Sequence, residues 1–160
     1  MKRSVNILIA ASAVAAVFGV GAVSYAKWTA GSGGKPVEVE GVTGSITTIG
    51  GITVTPSSPT VLYPLGGAPS GSKDYWEFNV NVTATGDVSV TVEGKFASSG
   101  IYAKLYYSQG TDRPTDDDHD ISSAKVIEDP TKPVYVYMVA YGTNAMEASI
   151  NLTFTAKAAT

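Results

Sequence analysis

Apolar and polar residues alternate along most of this chain. "DYWEFNVNVT", residues 74–83, puts Trp76, Phe78, Val80 and Val82 on one face and Tyr75, Glu77, Asn79 and Asn81 on the other. A period of two marks a strand buried on one side. "DVSVTVEG" repeats the pattern, with Val88, Val90 and Val92 inward and Ser89, Thr91 and Glu93 outward. The turn signal "ATGD" between them predicts a hairpin. "GIYAKLYYS" turns Ile101, Ala103, Leu105 and Tyr107 inward and Lys104 outward. "PVYVYMVAYG" carries Val134, Val136, Met138 and Ala140 on one side and Tyr135, Tyr137, Val139 and Tyr141 on the other. "EASINLTFTAK" directs Ala148, Ile150, Leu152 and Phe154 inward, opposite Ser149, Asn151, Thr153 and Thr155, and "GTNAM" joins it to the strand before. Weaker strand signals lie at 42–49, 52–55 and 60–63, among Gly and Pro. Roughly seven to nine short strands separated by turns predict an all-β fold, a single β-sandwich of jelly-roll or Ig-like type over residues 42–160. Pro56, Pro59, Pro64 and Pro69 place their region at a sheet edge or in loops.

The N-terminus breaks this pattern. "MKR" is followed by the apolar run "SVNILIAASAVAAVFGVGAV" and the small-residue exit "SYA". A basic start, an apolar middle and an S-x-A exit predict a secretory signal peptide over 1–26, cut after Ala26. The competing reading is a retained membrane helix, weakened by Asn6, Ser12 and many Ala and Gly. Both put the body of the protein outside the cytoplasm, where the absence of cysteine leaves it without disulfides. Residues 27–41, "KWTAGSGGKPVEVEG", combine a Gly-rich linker with the strand-like "VEVEG".

Composition then narrows the chemistry. A formal net charge of -3 gives no basic footprint for nucleic acid. One histidine, no cysteine, no G-x-S-x-G and no phosphate loop argue against an enzyme. In "TDRPTDDDHDISS", Asp116, Asp118 and Asp120 have the alternate spacing of calcium loops, but Ile121 stands where an EF-hand loop needs Gly. A solvated loop and a calcium site are the two readings, with His119 as a loop residue. Asn81-Val82-Thr83 and Asn151-Leu152-Thr153 are N-glycosylation sequons with outward asparagines. Tyr135, Tyr137 and Tyr141 form a stripe on a strand that is apolar on both faces. Such a stripe is either covered within the molecule or meets a partner.

The leader ending in "SYA", the aromatic "KWTAG" after it, and the later "LYPLGGAPSGSKDYWEFNVNVTATGDVSVTVEG" together resemble a family. Their L-x-P-G … φ-x-V … G-x-φ-x-V layout is similar to that of TasA/camelysin-type extracellular biofilm fibre proteins and of archaeal bundling pilins. The resemblance implies a secreted cell-surface filament, or pilus, built as a homopolymer by donor-strand complementation, with lateral bundling of filaments. An N-terminal strand of one subunit would complete the sandwich of the next. The donor residues would be Trp28 and Ala30 before the Gly stretch and Val37 and Val39 after it. Two alternatives stand beside it. One is a type IV pilin-like subunit that keeps its apolar N-terminus as a packing helix. The other is a secreted calcium- or glycan-binding module resting on the aspartates and the Tyr stripe.

Overall fold

The computed structural model describes residues 41–57, 60–65, 67–83, 86–141 and 148–159. The leader, the linker and the expected donor residues Trp28, Ala30, Val37 and Val39 lie outside the described residues. Nine strands are present: β1 (Val42–Ile49), β2 (Thr53–Pro56), β3 (Val61–Leu62), β4 (Tyr75–Asn81), β5 (Val88–Phe96), β6 (Ala103–Ser108), β7 (Lys125–Ile127), β8 (Val134–Ala140) and β9 (Ser149–Ala158). They form two sheets, one ordered β3-β1-β9-β5-β7 and the other β2-β4-β8-β6. The chain is therefore all-β among the described residues, in a sandwich-like arrangement.

Odd-numbered strands make one sheet and even-numbered strands the other. Each strand is thus followed in sequence by one in the opposite sheet. This corrects the expected hairpin: Tyr75–Asn81 pairs with β2 and β8, and Val88–Phe96 pairs with β7 and β9. The period-two pattern fixes which face of each strand is buried. It carries no information on which strand lies alongside. Two inward-facing strands joined by a short turn satisfy it equally well across a core.

That core lies between the sheets. Val90, Val92, Ile150, Leu152 and Phe154 from the five-stranded sheet meet Trp76, Phe78, Val134, Val136 and Met138 from the other, all buried. Phe78 and Phe154 are in ring contact across the interface, centroids 5.4 Å apart. β9 is the central strand of its sheet. It runs parallel to β1 over Thr43–Ile49 and antiparallel to β5 over Val88–Phe96.

Candidate assembly surface

The two lateral borders of the sandwich, where sheet edges face each other, differ sharply. On one border β6 faces β5 and β7. The aspartate-rich segment runs along it and stitches the sheets together. Tyr107 N–H donates to His119 O at 3.0 Å and Ile121 N–H to Leu105 O at 3.0 Å, so the segment pairs with the outer edge of β6. Gly94 N–H, on β5, donates to Ile121 O at 2.8 Å. The Ile121 side chain is fully buried. It packs over Gly94, where a Cβ would lie 2.8 Å from Ile121 Cδ1. Tyr107 Oη donates to Val126 O on β7 at 2.9 Å. The Gln109 amide acts like a strand residue, donating to Asp129 O at 2.6 Å and accepting from Asp129 N–H at 3.1 Å.

The aspartates serve this seam. Asp116 Oδ1 accepts from His119 N–H at 3.1 Å and lies 2.6 Å from His119 Nδ1, contacts that hold its carboxyl below the usual carboxylate range. Asp120 Oδ1 accepts from Ser122 N–H at 2.9 Å, and Oδ2 lies 3.3 Å from Lys104 Nζ. Burial pushes the Asp120 carboxyl up, but the Ser122 and Lys104 contacts outweigh it and hold it below its ordinary value. Asp118 is exposed. The expected calcium trio is not drawn onto a common point, and no group of three metal-capable side chains occurs among the described residues.

The loop also covers the tyrosine stripe. Tyr137 is 2% exposed, stacks on Tyr106 at 6.2 Å and donates from Oη to Pro114 O at 2.9 Å. Burial pushes the phenols of both tyrosines well above the usual range. Arg113 pins the loop to β4 through Asp74 at 2.8 Å. Tyr135 meets Tyr75 edge-on. Tyr141 alone of the stripe is open, 53% exposed, with its Oη 3.0 Å from Tyr106 Oη. Of the sequon asparagines, Asn81 is exposed at the end of β4, and exposed Asn151 accepts from Ser45 Oγ at 2.6 Å.

The opposite border, where β1 and β3 face β2, lacks such stitching. β3 pairs with β1 only at Val42 and Thr43. Thr43 N–H donates to Ala148 O at 3.1 Å, toward β9. Strand alternation then turns the N–H and C=O groups of Gly44, Ile46 and Thr48 to the other edge. Among the described residues nothing pairs with that edge. It is longer than β2 (4 residues), β3 (2 residues) or β7 (3 residues), the other strands at sheet borders that no segment overlies. Burial also fades along β1's inward face, from buried Val42 through half-buried Ile46 to exposed Thr48.

Sequence reasoning missed the closed seam because its stitches are mostly backbone groups. Its one legible signal was the lone apolar Ile121 in a polar run. No protein-family model and no curated protein matches this chain.

Proposed function

We propose that this protein is a structural subunit of an extracellular filament, a pilus or biofilm fibre, polymerised by addition of one copy's N-terminal segment to the sandwich of the next. The observation that carries the reading is the contrast between the two borders. One is closed by hydrogen bonds from the aspartate segment. The other leaves the inner-sheet edge of Gly44–Ile49 without a neighbour. An unpaired edge is a template for another strand, and natural single-copy sheets blunt or cover such edges. Strand addition supplies main-chain hydrogen bonds for affinity and pockets for alternate side chains. Donor and acceptor sit on different parts of the subunit, so the contact is head-to-tail and builds a linear polymer. The predicted leader supports the extracellular setting, and "VEVEG" just ahead of β1 supplies a strand-patterned donor.

Deletion of Lys27–Glu40 with the leader retained tests this directly. The expected product is a secreted, folded monomer that forms no filaments in negative stain. Filaments of normal length from that deletion sink the proposal. Mass spectrometry of the mature N-terminus separates it from a type IV pilin: Lys27 first is expected here, Ser4 or Val5 first in the alternative.

A further inference from the structure

We infer that the acceptor is the free edge of β1 at Gly44–Ile49, and that its occupant is segment Lys27–Glu40 of a second copy. The inference rests on the filament reading and adds the place of the joint. Three observations converge on this edge. First, Gly44, Ile46 and Thr48 turn backbone donors and acceptors outward with no partner among the described residues. Second, the apolar lining beneath them is incomplete. Thr48 shares the inward phase of Val42 yet is exposed, while Ile46 on β1 and Val54 on β2 are only half-buried against the core. A donor strand with inward side chains would cover them. Third, Trp76 lies under this edge. A Cβ on Gly44 would come within 2.7 Å of Trp76 Cη2. The indole is 3% exposed, and its Nε1–H has no hydrogen-bond partner. A buried donor without an acceptor is a standing cost, and an added strand brings carbonyl oxygens to this side of the core.

The occupant comes from another copy because of β3. For a subunit's own Val37–Glu40 to turn back tightly onto Gly44–Ile49, it would have to pass along the edge of Val42 and Thr43. That edge is already occupied, Val42 opposite Leu62 and Thr43 opposite Val61. A segment arriving from outside meets no such obstruction beyond Thr43.

The absence of native cysteine makes disulfide trapping clean. Outward residues of neighbouring strands have Cβ atoms about 4.5–5.5 Å apart, close to disulfide range. Thr47 is outward and exposed on β1. Its counterparts on the donor are the outward residues Thr29 and Glu38. Thr47→Cys is combined with Thr29→Cys or Glu38→Cys in the full-length exported protein, and the assembled material is oxidised. The expected result is loss of the monomer band into a ladder of covalent multimers, collapsed by reductant, from at least one pair. Parallel pairs carry Thr55→Cys on β2 or Val126→Cys on β7 in place of Thr47→Cys. Filaments with ladders only from those pairs overturn the location and leave the filament reading intact. A Thr47 crosslink that closes within one chain, giving a shifted monomer and no ladder, overturns the second-copy occupant. If no filaments form from wild-type protein, both readings fail together.

Discussion

Gly94 shows how much a single missing side chain does in this molecule. A Cβ there would lie 2.8 Å from Ile121 Cδ1 and 3.0 Å from both Leu105 Cδ1 and Leu152 Cδ2. The glycine therefore makes room for the one apolar side chain of the aspartate segment. Gly94→Ala is expected to lower stability by about 1–3 kcal/mol through overpacking, read as a drop in thermal midpoint. A variant that melts with the wild type would mean that Ile121 has space to yield. Gly50 is constrained differently. Its φ of +92° favours glycine, and a Cβ would also collide with the Ala156 carbonyl. None of this crowding is visible in the sequence, where both positions read only as glycine near a turn or inside a strand. By contrast, the inward residues Trp76, Phe78, Val90, Val92, Ile150, Leu152 and Phe154 were legible, and all are buried. Their alternation is a direct imprint of a half-buried sheet.

At the level of elements, β4, β5, β6, β8 and β9 could be placed from pattern alone, to within a few residues at their ends. β7 could not, because it is three residues long with apolar Val126 facing outward, 56% exposed. The aspartate run looked like solvated loop or calcium ligand because carboxylates in a row suggest water or metal. Its work as an edge cap depends on chain geometry that composition does not encode. The cap should be acid-sensitive. Asp120 and Asp116 both have carboxyls held below the model value of 3.8 in the folded protein. A carboxyl depressed on folding contributes stability that is present above its unfolded value and lost as pH falls through the folded one. Stability should therefore be flat at neutral pH and decline as pH drops below about 4. Asp120→Asn should reduce that acid-dependent loss, since its amide cannot be protonated in this range and keeps an acceptor for Ser122 N–H. Lys104, Asp117 and His119 also lie in this cluster, so chemical melts across pH should be compared with the wild type. An unchanged acid limb in the variant would place the sensitivity elsewhere.

For the molecule as a whole, the two borders define a direction. The side closed by Ile121, Tyr107 and Gln109 has its edge groups paired internally. The side at Gly44–Ile49 offers them outward. A subunit built this way presents one strand-accepting edge among its described residues rather than several, which favours linear growth over branching. The all-β class and the buried faces were readable from the sequence. The two-sheet assignment of individual strands was not, since each strand satisfies its pattern equally well in either sheet.

The strict alternation of odd and even strands between sheets has a consequence for the order in which the structure can form. No strand finds its partner in its immediate successor, so no hairpin can serve as an early local nucleus. The pairing of β1 with β9 joins residues such as Ser45 and Asn151, 106 positions apart. Folds dominated by such distant pairings fold slowly, because chain closure precedes the reward. β9 also supplies the neighbour of both β1 and β5. Truncation before Ser149 should thus leave a chain without cooperative unfolding and with a coil-like far-UV spectrum. A cooperative melt from the truncated chain would count against this. During synthesis, then, the earlier strands wait on the ribosome's final turn: the polypeptide stays a thread until its last segment emerges, a state in which it can still be passed lengthwise through a narrow channel.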